Sequence, residues 1–500
     1  MSVIADNNAN RTVAVIGGGW AGCAAAVELA SKGCRVTLFE AARTLGGRAR
    51  RVELAGSTLD NGQHILLGAY RETLNIMRQV GIDTDAALLH LPLQMRYPPG
   101  SGGMDFITPR LPAPLHLLAA LLRARGLAMA DKMALARFST TARWMDWQLH
   151  VDCTVSELLE RFDQTPRLTA LLWRPLCIAA LNTPPENASA QVFLAVLRDS
   201  LGSRRAASDM LIPRVDLSAL FPERAAAFLL AHQGKVECGH AVSTVNRVGA
   251  RWQINSGPGF DAIIVATPAT QAARLLDGWM VMPAFSYAPI TTVYLQYATS
   301  VRLGQPFYAL LDDARSQQWG QFVFDRGQLD ATQAGLLAVV VSASTAATEL
   351  GHEALAATIV KQLAAELHMP ELLAPVWHQV ITEKRATFAC TPALARPGNA
   401  SGHAGLYIAG DYTASEYPAT LEAAVRSGIA AATLVLAEPA PDLPLEIQRA
   451  QQILAAVDAG GLPLNPARIN DIARNLGLEV CRTARMEETI ERIRLALQRR

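Results

Sequence analysis

The chain of 500 residues sets 45 Lys plus Arg against 44 Asp plus Glu, so it has no global field that would draw it to nucleic acid. Half of its residues are hydrophobic, yet no window of about 18 uncharged apolar residues is present to span a bilayer. Its seven cysteines are scattered without a C-x-x-C or a histidine at metal-ligand spacing. That excludes a disulfide framework and a cysteine–histidine metal centre, and it fits a reduced, cytosolic compartment.

Residues 1–11 are polar and read as a disordered leader, without the apolar core of a signal peptide. Thr12-Val13-Ala14-Val15-Ile16 then reads as a strand buried on both faces. It runs into Gly17, Gly19 and Gly22, which fit G-x-G-x-x-G. The first glycine permits the tight turn, the second the approach of a pyrophosphate, and the third close packing of helix on strand. A helix starting near Trp20 and Ala21 presents free N–H groups and a positive dipole end to that pyrophosphate. Val36 to Phe39 form a second buried strand. Glu40 ends it, 23 positions after Gly17, where a carboxylate can take the ribose hydroxyls of an adenosine.

Next comes Arg43-Thr44-Leu45-Gly46-Gly47-Arg48, a glycine pair flanked by arginines and suited to a loop passing close to phosphates. The segment from Leu59 to Tyr70 contains Asp60, Gly62, Gln63 and His64, and a helix is expected at 71–80. Residues 92–115 are rich in proline and glycine and read as a loop or short hairpin. The stretch Pro114 to Met129 is helical in propensity, apolar around much of its surface and closed by Arg123 and Arg125. It is too short and too charged to span a bilayer, but leucines with arginine near the headgroups suit a helix lying in the interface. A peripheral membrane contact through 111–129 is the expectation.

Residues 130–232 read as mostly helical, with Trp144, Trp147 and Trp173 as core. A strand pattern resumes at Gly234 to Cys238, including Val236, and a hairpin follows over Val242 to Ser256. Phe260 to Pro268 reads as a buried strand ending in a turn at Thr267. Residues 286–298 and 319–343 alternate as strands, and 352–368 read as a helix. Leu406-Tyr407-Ile408-Ala409-Gly410-Asp411 is a further strand and turn. A loop with Glu416 and Tyr417 then leads to a helix beginning near Thr420 and Leu421. Pro439 to Pro444 read as a linker, and 445–500 as a helical appendage.

These motifs resemble the FAD-dependent amine oxidase and carotenoid desaturase superfamily over residues 12–437. The Gly46-Gly47-Arg48 element directly after the acid-ended strand points to FAD rather than NAD. The segments Trp20-Ala21-Gly22, Phe39-Glu40-Ala41-Ala42, Leu45 to Arg50 and Leu59 to His64 are together similar to the squalene-associated branch, the hydroxysqualene dehydroxylases of bacterial hopanoid synthesis. Two departures stand out: Ala423 replaces the usual glycine of Glu-Gly-Ala, and His232-Gln233-Gly234 replaces a glycine pair.

The resemblance implies an α/β fold: a discontinuous Rossmann-like FAD domain of the GR2 type, an inserted α+β substrate domain and a helical C-terminal extension. The FAD domain is expected at 12–80, 233–275 and 401–437, the substrate domain at 81–232 and 276–400, and the extension at 438–500. Cofactor contacts are implied at Gly17, Gly19, Trp20, Ala21, Gly22, Glu40, Arg43, Gly46, Gly47, Arg48, Gly62, Gln63, His64, Val236, Thr267, Gly410, Asp411, Thr420 and Leu421. No metal is implied. The implied substrate is an isoprenoid lipid, hydroxysqualene, and the implied location is the cytoplasm, at the inner face of the cytoplasmic membrane. Reduced FAD would give a hydride to an allylic carbon as the hydroxyl leaves as water, and Asp60, His64, Glu416 and Tyr417 are candidates to protonate that oxygen. A carotenoid-type desaturase and a non-catalytic flavin-binding lipid carrier are the alternatives. An amine oxidase, with its small amine cage, fits less well.

Overall fold

The computed structural model describes residues 11–54, 56–438, 450, 453–454, 457, 466–478 and 486–498. Of the leader read over 1–11, residues 1–10 lie outside the described residues, as does the linker over 439–444, while Arg11 is buried and donates to Glu438 O at 2.9 Å. In chain order the elements that place the site begin with β1 (Thr12–Ile16), α1 (Trp20–Ser31), β2 (Arg35–Glu40) and α2 (Arg71–Gln79). Then come α3 (Leu115–Arg123), α4 (Met129–Trp144) and α5 (Ala190–Leu201), followed by β3 (Lys235–Cys238) and β4 (Ala262–Val265). The chain continues through β5 (Tyr287–Gln296), β6 (Phe307–Ala309), β7 (Phe322–Asp325), β8 (Leu336–Ser342) and β9 (Trp377–Phe388). It ends with β10 (Leu406–Ile408), α6 (Leu421–Ala437), α7 (Pro466–Asn475) and α8 (Met486–Gln498).

The fold is α/β. A parallel five-stranded sheet runs in the order β3-β2-β1-β4-β10. Val13 stands opposite Val36 on one side and Ala262 on the other, which sets β1 at its centre. Its strands read as continuous apolar runs because both faces are covered: Val13 and Val15 pack with α1 and α6, and Ala14 and Ile16 with a small antiparallel sheet that carries Val245, Trp252 and Phe260. The helix α1 is rich in alanine because it is buried nearly all round, between the sheet and α6. A Cβ on Gly428 of α6 would lie 2.2 Å from the carbonyl oxygen of Ala21, so the two helices meet backbone to backbone.

The second sheet is antiparallel, in the order β6-β7-β8-β5-β9. Period-two alternation divides its core. Val293 and Leu295 face the helix His352–Leu367, while Tyr294, Phe324 and Val340 face the cluster that contains Leu59 and Phe106. A helical unit between the sheets packs around Trp173, whose ring lies 4.7 Å from Phe138 and 6.1 Å from Phe193. Farther along the chain, α7 and α8 share a small core of their own, built on Ile469, Ile472, Leu476, Ile490 and Ile493.

Two expectations change: Trp144, read as core with Trp147 and Trp173, ends α4 at 88% exposed, and the helix after Pro114 is shorter than its propensity suggests. The helix read over 114–129 stops at Arg123, and α4 starts afresh at Met129. Between them the backbone of Arg125 pairs both ways with Asp105 at 3.1 Å. Gly126 adopts φ +79°, where an added Cβ would lie 2.4 Å from Gly103 O. Strand pairing and a glycine turn therefore override helix propensity here. The expected 92–115 region holds a short antiparallel pair, Gln94–Arg96 with Asp105–Ile107.

Candidate active site

The C-terminal ends of β1, β2, β4 and β10 open onto one cavity of about 760 Å³. At its first end the turn after β1 brings glycines together. Gly17 has φ +108°, and a Cβ on it would lie 2.6 Å from Ala266 O. A Cβ on Gly22 would lie 1.8 Å from Gly17 O, so α1 can pack on the turn only with glycine there. Gly46 donates to Gly18 O at 2.8 Å, which seats the second glycine element against the first. Gly19 caps α1 with no side-chain hydrogen bond, so the first-turn amides keep their donors for a bound anion. The Glu40 carboxylate accepts from Gly18 N at 2.7 Å and Ala42 N at 2.8 Å. Its remaining lone pairs are available to a ribose diol.

Gly19 is the most telling of these residues. Its φ is −73°, and a Cβ on it would meet only the Cα of Gly47, at 3.9 Å. The protein itself leaves room for a side chain there, so the empty space is a cradle for something else.

At the middle of the cavity Arg48 bonds Asp411 at 2.7 Å and donates to Ala386 O at 2.6 Å. Burial opposes the charge of Arg48, but Asp411 overrides it and holds the guanidinium protonated. Arg396 donates to the carbonyls of Asp411 at 2.6 Å and Tyr417 at 2.7 Å, stitching together the loop that leads to α6. Thr420 caps α6 by accepting from Ala423 N at 3.1 Å. His64 lines the wall with Nδ1 2.9 Å from Gly62 O. That carbonyl only accepts, so Nδ1 carries the proton and Nε2 is the free nitrogen. Burial, with the nearby Arg48 adding to it, lowers the His64 pKa below its ordinary value. Thr267 Oγ1 and Tyr412 Oη line the same region buried and without a protein partner. Two orphaned hydroxyls beside a glycine cradle fit a bound polar cofactor.

The far end is apolar, walled by Leu121, Phe138, Trp173, Leu176 and Leu197. Leu115 and Leu118 line the cavity while each is 52% exposed, so it reaches the surface at α3.

The cavity lining brings together Gly17, Gly19, Trp20, Ala21, Glu40, Gly46, Arg48, Gly62, Gln63, His64, Thr267, Gly410, Asp411, Tyr417, Thr420 and Leu421. Gly22 and Gly47 stand behind it, in the glycine packing described above. Arg43 is exposed outside the lining, and Val236 pairs with Leu38 in the sheet, also outside it.

Two catalytic candidates are displaced. Asp60 ends the strand Ser57–Asp60 and turns away from the cavity, where its carboxylate accepts from Leu217 N at 2.9 Å. Burial raises its pKa to about 6, against the pull of that hydrogen bond. Glu416 is exposed and paired with Arg198 at 2.9 Å. Both belong to structure rather than to the chemistry of the cavity. Asp199, on α5, lines the cavity and was not legible: an acid next to an arginine on an amphipathic helix reads as a solvated face.

The profile of the flavin containing amine oxidoreductases matches residues 20–436. A hydroxysqualene dehydroxylase of Rhodopseudomonas palustris is 33% identical over 86% of this chain and 99% of its own. A 15-cis-phytoene desaturase of Narcissus pseudonarcissus is 24% identical over 83% of this chain and 78% of its own. Among solved structures, a putative protoporphyrinogen oxidase from Exiguobacterium superposes with a TM-score of 0.61 at 16% identity, covering 85% of this chain and 98% of its own.

Proposed function

Because the chain belongs to the flavin containing amine oxidoreductases, and within them to the hydroxysqualene dehydroxylases, we propose that it reduces hydroxysqualene to squalene with loss of water. The cofactor is FAD. The observation that carries the reading is one continuous cavity. It joins the glycine cradle and Arg48–Asp411 pair at one end to a long apolar wall that opens at α3. A flavin seated at the first end would face a hydrocarbon chain in the second.

The residues divide the work. The first turn of α1 and the Gly46-Gly47 loop would hold the pyrophosphate, Glu40 the ribose, and Arg48, Thr267, Asp411 and the start of α6 the flavin half. Bound and reduced, the flavin supplies the hydride for the allylic carbon. The apolar wall, which includes Phe138 and Trp173, excludes water from an electron-poor carbon that water would otherwise capture. The departing oxygen needs a proton. Of the four candidates, Asp60 and Glu416 lie outside the cavity lining, and the Tyr417 hydroxyl donates to Asp199. His64 remains, with Nε2 free to deliver a proton when the ring is charged.

The substrate is a membrane lipid, and the cavity opens where apolar side chains are exposed. Leu115, Leu118 and Leu122 share one face of α3, and Met129 and Met133 one face of α4, all 52–69% exposed. Arg123 and Lys132 stand beside them for anionic headgroups. No described helix is long and apolar enough to cross a membrane. This surface resting on the inner face of the cytoplasmic membrane would let the lipid enter without passing through water.

The test is to reduce the FAD-loaded protein anaerobically, add hydroxysqualene in detergent, follow flavin absorbance and extract the lipid. Flavin reoxidation with squalene as product is expected. Bleaching of the oxidised protein by phytoene, with no response to hydroxysqualene, would overturn the reading in favour of a desaturase.

A further inference from the structure

We propose that Asp199 and Tyr417 form the subsite that recognises the hydroxyl of the substrate, so that the cavity selects an allylic alcohol over the corresponding hydrocarbon. This rests on the dehydroxylase reading above and names the residues that give it selectivity.

The pair sits where α5 meets the loop before α6. Both residues line the cavity, and their neighbours on the wall, Val196, Leu197, Leu201 and Ala419, are apolar. The Tyr417 hydroxyl donates to Asp199 Oδ2. Asp199 Oδ1 accepts from Arg198 Nε at 2.8 Å. The Tyr417 ring lies against Arg426, whose guanidinium carbon is 4.7 Å from the ring centre. These contacts keep Asp199 ionised despite its burial. With its one proton given to a carboxylate, the oxygen of this cavity-lining tyrosine is left with lone pairs only. Donation to a charged partner also makes that oxygen a better acceptor. A ligand O–H fits this arrangement, whereas a hydrocarbon offers it nothing.

The other carboxylates of the cavity are placed elsewhere. Glu40 and Asp411 stand at the cofactor end, and Glu383 accepts from Asn61 beside Arg48. The hydroxyls of Ser139, Thr140 and Ser200 donate to carbonyls of their own helices. Asp199 is thus the carboxylate among the described residues that reaches the apolar wall. Burying it beside hydrocarbon costs free energy that a substrate without oxygen would never return. A purely mechanical tie between α5 and the loop is already supplied by Arg198 and Glu416 at 2.9 Å.

The experiment measures binding, not turnover. Oxidised FAD-loaded protein lacks the electrons to reduce an alcohol, so hydroxysqualene and squalene can each be titrated in detergent while the flavin spectrum is followed. The native chain is expected to bind the alcohol about tenfold more tightly, the worth of one hydrogen bond to a charge-backed acceptor. In Tyr417→Phe and in Asp199→Asn the two affinities should converge, with that for squalene unchanged. Unchanged squalene affinity and full flavin content report an intact fold. A preference for the alcohol that survives in both variants, or that is missing in the native chain, overturns the subsite. Failure of the reduced native protein to make squalene would instead overturn the dehydroxylase reading, whatever the titrations show.

Discussion

The carboxylate of Glu422, in the first turn of α6, accepts from both the backbone amide and the hydroxyl of Thr73, at 2.9 and 2.8 Å. It also takes Glu72 N at 3.2 Å and Arg426 Nε at 2.7 Å. One fully buried side chain therefore caps α2 from another helix and fixes the segment after His64 to the cavity-lining start of α6. Its negative charge lies at the N-terminal poles of both helices, where it is most favourable. Removing it leaves two amides and a hydroxyl without their acceptor. Glu422→Ala is expected to cost about 3 kcal/mol in urea unfolding, and Glu422→Gln less, since each buried group left unsatisfied costs roughly 1–3 kcal/mol. A loss no larger than that of a surface substitution would remove this role.

Asp60 gives a prediction about stability and pH. Burial lifts its folded pKa to about 6 from an ordinary 3.8. The folded protein thus holds the proton more tightly than the unfolded chain does. The contribution of Asp60 is fully present below the unfolded value and is lost as pH rises through about 6. Above that, the fold carries a buried carboxylate at a cost. Asp60→Asn keeps an acceptor for Leu217 N without the charge. It is expected to raise stability by about 1–3 kcal/mol near neutral pH and to change it little in mild acid. Unfolding curves at both pH values check this, and turnover should survive because the side chain is outside the cavity.

His64 predicts the pH dependence of the reaction. Burial places its pKa below the ordinary value, so at neutral pH the charged, proton-donating form is the minority. That fraction grows about tenfold per unit as pH falls toward the pKa. In kcat/KM for hydroxysqualene this appears as a rise from alkaline to mildly acidic pH. His64→Gln should lower turnover and flatten the profile while FAD stays bound. An unchanged profile in the variant would remove His64 as the acid.

The contrast among Asp60, His64 and Asp199 shows what the sequence carried. The strand, glycine turn and acid from Thr12 to Glu40 are local, so periodicity and spacing suffice to read them. The Gly410 to Leu421 block is legible for the same reason. Which face a short strand turns to the cavity depends on tertiary packing, and that sends Asp60 to Leu217, 157 residues away. The tie between Asp199 and Tyr417 spans 218 residues, and that between Thr73 and Glu422 spans 349. No window on the chain reveals such pairings. The end of α3 at Arg123 was hidden likewise, because a strand partner twenty residues upstream decides it.

The exposed face of α3 and α4 predicts membrane binding that can be separated from chemistry. Burying one leucine or methionine in lipid is worth about 1.5–3 kcal/mol. Replacing Leu118 and Leu122 together by Asp should therefore reduce flotation with anionic vesicles by about a hundredfold or more. Leu122 is 65% exposed and should cost little in folding. Turnover of a detergent-dispersed alcohol should fall far less than that of alcohol held in vesicles. Full vesicle binding by the double variant would place the contact elsewhere.

Gly19 offers the cleanest test of the cofactor site, because it separates what the fold requires from what the cofactor requires. At Gly17 both φ and a backbone carbonyl 2.6 Å away forbid a side chain, so substitution there would damage the protein with or without cofactor. At Gly19 the backbone is ordinary, and a methyl would touch only Gly47 Cα, at 3.9 Å. Gly19→Ala should accordingly leave the unfolding midpoint of the apoprotein nearly unchanged. Its methyl would project into the space assigned to the pyrophosphate. Overpacking of that size costs about 1–3 kcal/mol, so the Kd for FAD should rise about tenfold or more. Calorimetric titration of apoprotein with FAD reads this directly, without any substrate. Native affinity in the variant would mean that the pyrophosphate does not approach the chain at Gly19, and the orientation assigned to the cofactor would have to be reversed or abandoned.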